Sequence, residues 1–368
     1  MTLSPFPYPN RISLFFGKPG KIRVILFERY HLNGVTVALH PWLAIDTKKS
    51  VIELGIRLRD AVYSTLSRKG AVVAISGGID SSACAALAVA SLGKERVFGL
   101  LLPERDSSPK SQELGESVCR HLGIRYEVKD IGNTLSAIGC YEWRDSAIRM
   151  VFPEYKEGWK NKIVISRNAL ETNQLNFFRV VVEAPEGHRQ ETRLPLNEYL
   201  QIVAATNFKQ RVRKTIEFFH ADRLNYAVVG TPNRLEYDQG FFVRNGDGAA
   251  DVKPIAHLYK SQVYELARHL QLPDEIVAAT PTTDTYSLEQ GQDEFYFSLP
   301  YRKMDIVLFG MNNGKSDGEV AKEAGLTREQ VERAYEDIRR KRRTTARLHW
   351  KPLLLEPVPE ITGTKEEM

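Results

Sequence analysis

The stretch AVVAISGGIDSSACAALAVASLG, Ala71–Gly93, constrains the fold more than any other part of the chain. Ala71–Ile75 are uniformly apolar, the pattern of a strand buried on both faces of a sheet. The chain then turns through Ser-Gly-Gly and leaves as an alanine-rich helix. A Gly-rich turn between a parallel strand and a helix converges backbone N–H groups and the positive end of the helix dipole on one point, where an anion can bind. Gly77 and Gly78 permit its close approach, while Ser76, Ser81 and Ser82 offer hydroxyl donors. Asp80 does not suit a simple anion site. A carboxylate beside phosphate makes sense when a divalent cation lies between them, and Mg²⁺ is commonly held in that way. Ser-Gly-Gly alone would be only a tight turn; the strand before it and the helix after it supply the context.

The same alternation runs on both sides. SVIELGIRLRDAVYSTLSRKG has helical apolar spacing, with Val51, Leu54, Leu58 and Val62 on one face and Gly70 as a stop. RVFGLLLP reads as a second strand, SPKSQELGESVCRHLG as a helix and RYEVKDI as a third strand. Such βαβαβ order with apolar strands predicts a doubly wound parallel sheet covered on both faces. The rhythm breaks over about 139–204, where FFRVVVEAPEGHRQETRLPL predicts a hairpin turning at Pro-Glu-Gly. That region is expected to be an insertion, its aromatics (Trp143, Phe152, Tyr155, Trp159) packing it against the domain. The pattern resumes with the helix FKQRVRKTIEFFHADRLN, the strand YAVVGT and the helix LYKSQVYELARHLQ. The expected organisation is an N-terminal extension over 1–42, an α/β domain with its inserted subdomain over 43–316, and a helical C-terminus over 317–368.

Composition adds exclusions. In 368 residues, 42% are hydrophobic and 26% charged, as in ordinary soluble domains, and a net charge of +5 does not argue for nucleic acid. EVAKEAGLTREQVERAYEDIRRKRR has the outline of a helix-turn-helix with a basic run, but such a run equally suits a solvated helix end, and DNA binding is not expected. No apolar run is long enough for a membrane span, and Cys84, Cys119 and Cys140 lack pairing or metal-type spacing. A cytoplasmic setting follows. GMNNGKS and NGDGAAD fail the spacing and strand context of phosphate and dinucleotide loops.

SGGIDSS resembles the pyrophosphate loop of the N-type ATP pyrophosphatases, which include NAD, GMP and asparagine synthetases and several tRNA-modifying enzymes. VVGTPNRLEYDQGFFVRNGDGAADVKPIAHLYKSQVYELARHL narrows the resemblance to the ammonia-dependent NAD synthetases, whose pattern runs through Gly-Thr, a glutamate and GYFTKYGDGGADINPI. NFKQRVR, PTTDT with QDE, and LLLPERDSSPKS are similar to further segments of that family, and together they cover most of 43–350 outside the insertion. The resemblance implies an adenine nucleotide alpha hydrolase-like fold. It implies that Ser76, Gly77, Gly78, Asp80 and Ser81 hold ATP phosphates, that Thr231 and Thr282 contact ATP, and that Lys260 reaches its phosphates. Asp80 and Lys260 would be the catalytic pair, Asp80 and Glu236 the Mg²⁺ ligands, and Arg211 and Asp251 contacts to deamido-NAD. Arg244 stands where the family pattern carries a substrate-binding lysine, and the C-terminal His-Lys-Arg segment has no clean match.

The implied reaction is ATP-dependent amidation: deamido-NAD, ATP and ammonia give NAD, AMP and pyrophosphate. The chain leaves no room for a glutaminase domain, so free ammonia or a separate glutaminase would supply nitrogen. A homodimer is implied as well. Two alternatives stand beside this reading: the same adenylation and amidation on another carboxylate, and a non-catalytic nucleotide- or DNA-binding regulator.

Overall fold

The computed structural model describes residues 39–165, 178–279, 286–291, 296–297, 299–358 and 360. Most of the expected N-terminal extension, and Thr282 with its PTTDT segment, lie outside them. Helix α1 (Thr47–Asp60) ends in a wider π-helical turn over 61–65. Then follow β1 (Ala71–Ala74), α2 (Ile79–Leu92), β2 (Val97–Leu101), α3 (Pro109–Leu122) and β3 (Arg125–Val128). The middle of the chain holds α4 (Gly132–Ala137), α5 (Cys140–Arg149), β4 (Lys160–Ile165), β5 (Phe178–Glu183), β6 (Arg189–Arg193) and α6 (Leu196–Leu224). It continues through β7 (Ala227–Val229), α7 (Arg234–Gln239), α8 (Lys260–His269), α9 (Asp274–Ala278), α10 (Tyr301–Asn312), α11 (Asp317–Ala324) and α12 (Arg328–Thr345).

The main sheet is parallel, in the order β3-β2-β1-β7, with Ala71 facing Val97 on one side and Ala227 on the other. Alternate residues serve opposite faces. Ala71, Val73, Val97, Ala227 and Val229 join one core with α1, α2 and α8, while Val72, Phe98, Leu100 and Val228 join another with α4, α5 and α6. Apolar runs rather than alternation are what such double coverage requires. In α2, Ala83 to Ala88 are all buried, and the small side chains among them, all but Leu87, let the helix lie close to the sheet. The order of strands reverses between β1 and β7, so a crevice opens beyond their carboxyl ends, where sheets of this kind bind ligands.

The 184–188 turn joins β5 and β6 as expected, but a third strand that the sequence did not predict, β4, pairs antiparallel with β5. This small sheet has its own core of Ile163, Val180 and Val182 against Ile148, Ile202, Phe152 and Tyr155. The following helix starts at Leu196, twelve residues before the predicted FKQRVR segment, because Ile202 extends its buried face back under the small sheet while Ala205 joins the core of the main one. Helix α10 was also missed. It packs with α11 and α12 around Val307, Val320, Val331 and Ile338. Capping boxes start α11 (Ser316 with Glu319) and α12 (Thr327 with Gln330), and Gly325, at φ +61°, ends α11. Arg342, within the basic run, makes a two-pronged ion pair with Asp238 at 2.7 Å, so part of that run is spent inside the fold.

Candidate active site

A cavity of about 770 Å³ opens at the β1/β7 crevice, lined among others by the Ser76–Ser81 loop, Thr231, Glu236, Lys260, Arg211 and Arg244. The loop is shaped by its own hydroxyls. Ser81 Oγ donates to Gly78 O at 3.1 Å and accepts from Ser76 N at 3.2 Å, and Ser82 Oγ donates to Gly78 O at 2.8 Å. Ser76 Oγ accepts from Gly78 N at 3.3 Å. Gly77 adopts φ +80°, and a Cβ there would stand 2.5 Å from Ser111 O and 2.8 Å from Leu114 Cβ. Gly77→Ala therefore adds about 1–2 kcal/mol of left-handed backbone strain to a clash with α3. Calorimetric titration with ATP is expected to show binding lost in this variant, while Gly78→Ala, whose nearest neighbour would be Ser76 Oγ at 3.4 Å, retains more of it.

Three charged side chains meet behind the loop. Asp80, in the first turn of α2, pairs with the ammonium of Lys260 and accepts from Asn233 Nδ2 at 3.2 Å. Lys260, only 2% exposed, is the first residue of α8. Burial pulls its ammonium down, but the carboxylates of Asp80 and Glu236 outweigh this and hold its pKa above the usual lysine range. Glu236 keeps a face open to the cavity and is otherwise surrounded by protein; this burial, with Asp80 beside it, pushes its carboxyl up to about 8. Asn233 orders both acids, since it caps α7 by accepting from Glu236 N at 3.3 Å while its own N–H donates to Glu236 Oε2 at 3.1 Å.

Lys260 is aimed from below by a residue the sequence did not reveal. Asp305 on α10 is fully buried and accepts from Lys260 N at 3.2 Å and Ser261 N at 2.7 Å, capping α8 from another helix. Burial pushes its carboxyl up to about 7 from an ordinary 3.8, against the pull of those donors. A carboxyl raised on folding favours the protonated native state, so its contribution to stability is lost as pH rises from about 4 through about 7. In melts across that window, the wild-type chain is expected to lose stability relative to Asp305→Asn.

Of the remaining expected residues, Thr231, Arg211 and Arg244 share the cavity wall and Asp251 does not. Arg211 Nε donates to Arg244 O at 3.2 Å, and Arg213, two positions further on, donates to Leu102 O at 3.1 Å. Lys214 pairs with Glu217 at 2.7 Å, both buried on the cavity wall. Asp251 is not on that wall: its carboxylate accepts from Val228 N at 2.7 Å, extending the edge of β7. The cavity carboxylate nearby in sequence is Asp247, which accepts from Val243 N at 2.6 Å. A second polar cluster, also unforeseen, braces the loop after β2. Lys209 reaches Glu104 at 3.0 Å and Asp106 at 2.5 Å, Arg144 pairs with Asp106, and Tyr141 donates to Glu104 at 2.8 Å.

Among the described residues no group of three or more His, Cys, Asp or Glu forms a ready metal site. Two carboxylates nonetheless suit Mg²⁺, which takes one or two from protein and the rest from water and phosphate oxygens. An added positive charge would also relieve the repulsion that raises Glu236.

A family model described as NAD synthase matches residues 51–152 and 163–345. An NH(3)-dependent NAD(+) synthetase of Rhizobium meliloti (strain 1021) is 59% identical over 319 residues, 87% of this chain and 95% of the relative. A protein of the same description from Mesorhizobium japonicum (strain LMG 29417 / CECT 9101 / MAFF 303099) is 54% identical over 312 residues, covering 85% and 98%. Among solved structures, an NMN synthetase from Francisella tularensis superposes with a TM-score of 0.56 at 22% identity, covering 85% of this chain and 99% of that one. That likeness bears on the fold, the doubly wound sheet expected from the sequence. By the extent of the model match and the identity to these relatives, the chain belongs to the NAD synthase family.

Proposed function

We infer that the protein is an ammonia-dependent NAD synthetase, an AMP-forming ligase that adenylylates the carboxylate of deamido-NAD with ATP and aminates it to NAD. The observation that carries this reading is the meeting of the Ser76–Ser82 loop, Asp80, Glu236 and Lys260 at one crevice, within a chain of that family. The acceptor carboxylate attacks the α-phosphorus of ATP, pyrophosphate leaves, and ammonia then displaces AMP from the acyl adenylate. No side-chain nucleophile is needed. Catalysis here is positioning together with neutralisation of phosphate charge.

The loop amides and hydroxyls, with Ser76 and Ser81, would hold the departing pyrophosphate, and Lys260 would bring its fixed positive charge to the phosphate oxygens. Asp80 and Glu236 would hold Mg²⁺, which supplies further charge stabilisation on the phosphates. Thr231, beyond the end of β7, is suited to contact the nucleotide; Arg211 and Arg244 carry positive charge at the mouth that receives the dinucleotide. Asp251 is kept as a contact to deamido-NAD on the resemblance alone, its carboxylate also holding Val228 N of β7 at 2.7 Å. Thr282 is kept as an ATP contact on the resemblance alone.

A cytoplasmic enzyme is supported by three buried free cysteines; among the described residues no helix is long and apolar enough to cross a membrane. We read it as a homodimer, which light scattering on the purified chain would test. The deciding assay combines protein, ATP, Mg²⁺, ammonium and deamido-NAD and measures NAD and AMP. Equal amounts of both, lost in Asp80→Ala, are expected. AMP without NAD, or neither product from a folded, ATP-binding protein, would overturn the assignment of the acceptor.

A further inference from the structure

Arg244 departs from the lysine of the pattern that the chain otherwise resembles, and its guanidinium is engaged with the protein's own backbone. Nη2 donates to Trp350 O at 3.2 Å and Nη1 lies 3.5 Å from Arg347 O. The Arg347 carbonyl lies within a short 3-10 turn, Ala346–Leu348, and that of Trp350 two residues beyond it; His349 N donates to Ala346 O at 3.1 Å and Trp350 N to Arg347 O at 3.4 Å. Arg347 and Leu348, on that turn, line the cavity.

Three further contacts tie the same two segments. His349 sets its ring edge-on to Tyr237 and Phe242, at centroid distances of 4.8 and 5.2 Å. Thr345 occupies the space that a side chain at Gly240 would need, 2.3 Å from the position of its Cβ. Arg342 grips Asp238 at the end of the helix that carries Glu236. On the other side, Arg211 Nε holds the carbonyl of Arg244 itself. The result is a continuous line of contacts from α6, through the 240–244 loop, to the C-terminal turn.

We propose that Arg244 is a positioning residue: its planar fork latches the Ala346–Leu348 turn against the cavity mouth, so that Arg347 and Leu348 form a fixed wall for the dinucleotide. A fork is required because two carbonyls must be reached by two N–H groups of one rigid plane, which the single ammonium of lysine does not reproduce. A cation also suits the carbonyl-rich end of a helical turn. The proposal rests on the synthetase reading for its substrate but not for the latch itself.

Arg244→Lys separates the latch from a direct charge contact to substrate, with Arg244→Ala and His349→Ala beside it. Amide hydrogen exchange on the free, full-length protein reads the His349 and Trp350 amides, with β1 amides as a control for folding. The latch predicts faster exchange at both amides in Arg244→Lys and in Arg244→Ala, and unchanged β1. It also predicts a KM for deamido-NAD raised about tenfold in both, and in His349→Ala, with kcat within about twofold. Unchanged exchange in Arg244→Lys overturns the latch whatever the activity does. Loosened amides with an unchanged KM overturn the wall. A lysine variant that matches wild type while the alanine variant is impaired assigns Arg244 to substrate instead. Should wild type make no NAD, the function fails and the exchange measurement still decides the latch.

Discussion

Lys260→Met is expected to destabilise the protein and silence it together. The variant leaves Asp80 and Glu236 facing each other without their shared cation. Removing one partner of a buried ion pair costs about 3–5 kcal/mol, and the lower end applies here because Asp80 borders a solvent-filled cavity. Loss of a fixed charge aimed at the reacting phosphates lowers turnover by about 10²–10³. The double variant Asp80→Asn, Lys260→Met should unfold at a higher temperature than Lys260→Met alone, since it removes the stranded carboxylate. A thermal double-mutant cycle measures this coupling, and additive effects would mean that the two side chains do not interact.

The second large effect is expected at Lys209→Met, away from the reacting atoms. Lys209, 3% exposed, is the common partner of Glu104 and Asp106, and without it the loop after β2 retains buried acids that have lost their one shared ammonium, with Arg144, Arg105 and Tyr141 still beside them. A loss of about 3–5 kcal/mol follows from the same asymmetry. The Asp106 carboxyl is also informative. Burial raises it, but Lys209 and Arg144 prevail and hold it below the ordinary carboxylate range. A lowered carboxyl adds stability above its unfolded pKa and loses it as pH falls through the folded value, so wild type should weaken below about pH 4. Lys209→Met should lose much of that acid sensitivity. Denaturant melts at pH 7 and at a pH well below 4 check both statements; an equal stability gap at the two pH values would refute the second.

What the sequence disclosed was what local chemistry writes locally. The Ser76–Ser82 loop was legible because its strand, glycines, hydroxyls and helix are contiguous, and Glu236 because the resemblance fixed its distance from Thr231. Asn233 with Glu236 also spells a capping box, a signal that could have been read and was not. Asp305 and Lys209 had no such signal. Asp305 lies 45 positions from the helix it caps and Lys209 lies 105 from Glu104, so only the folded chain reveals their purpose. The antiparallel sheet was half read because β5 and β6 share a tight turn, whereas β4 joins them across a longer interval. Asp251 adds something the motif does not spell: its carboxylate accepts from Val228 N at 2.7 Å, a contact to the strand beside the site that only the folded chain reveals.

The pairing of β1 with β7 has a consequence for how the protein is made. Ala71 and Ala227 are hydrogen-bonding neighbours in space but about 150 residues apart in the order of synthesis. At ribosomal rates of ~5–20 residues per second, roughly 10–30 s pass between the appearance of the two strands. Throughout that interval one edge of β1 lacks its native cover, and an open apolar edge invites pairing with other chains. The nucleotide loop is therefore born before the strand that completes its crevice, and yields of soluble protein should improve when chaperones are abundant and fall when elongation between the two strands is slowed.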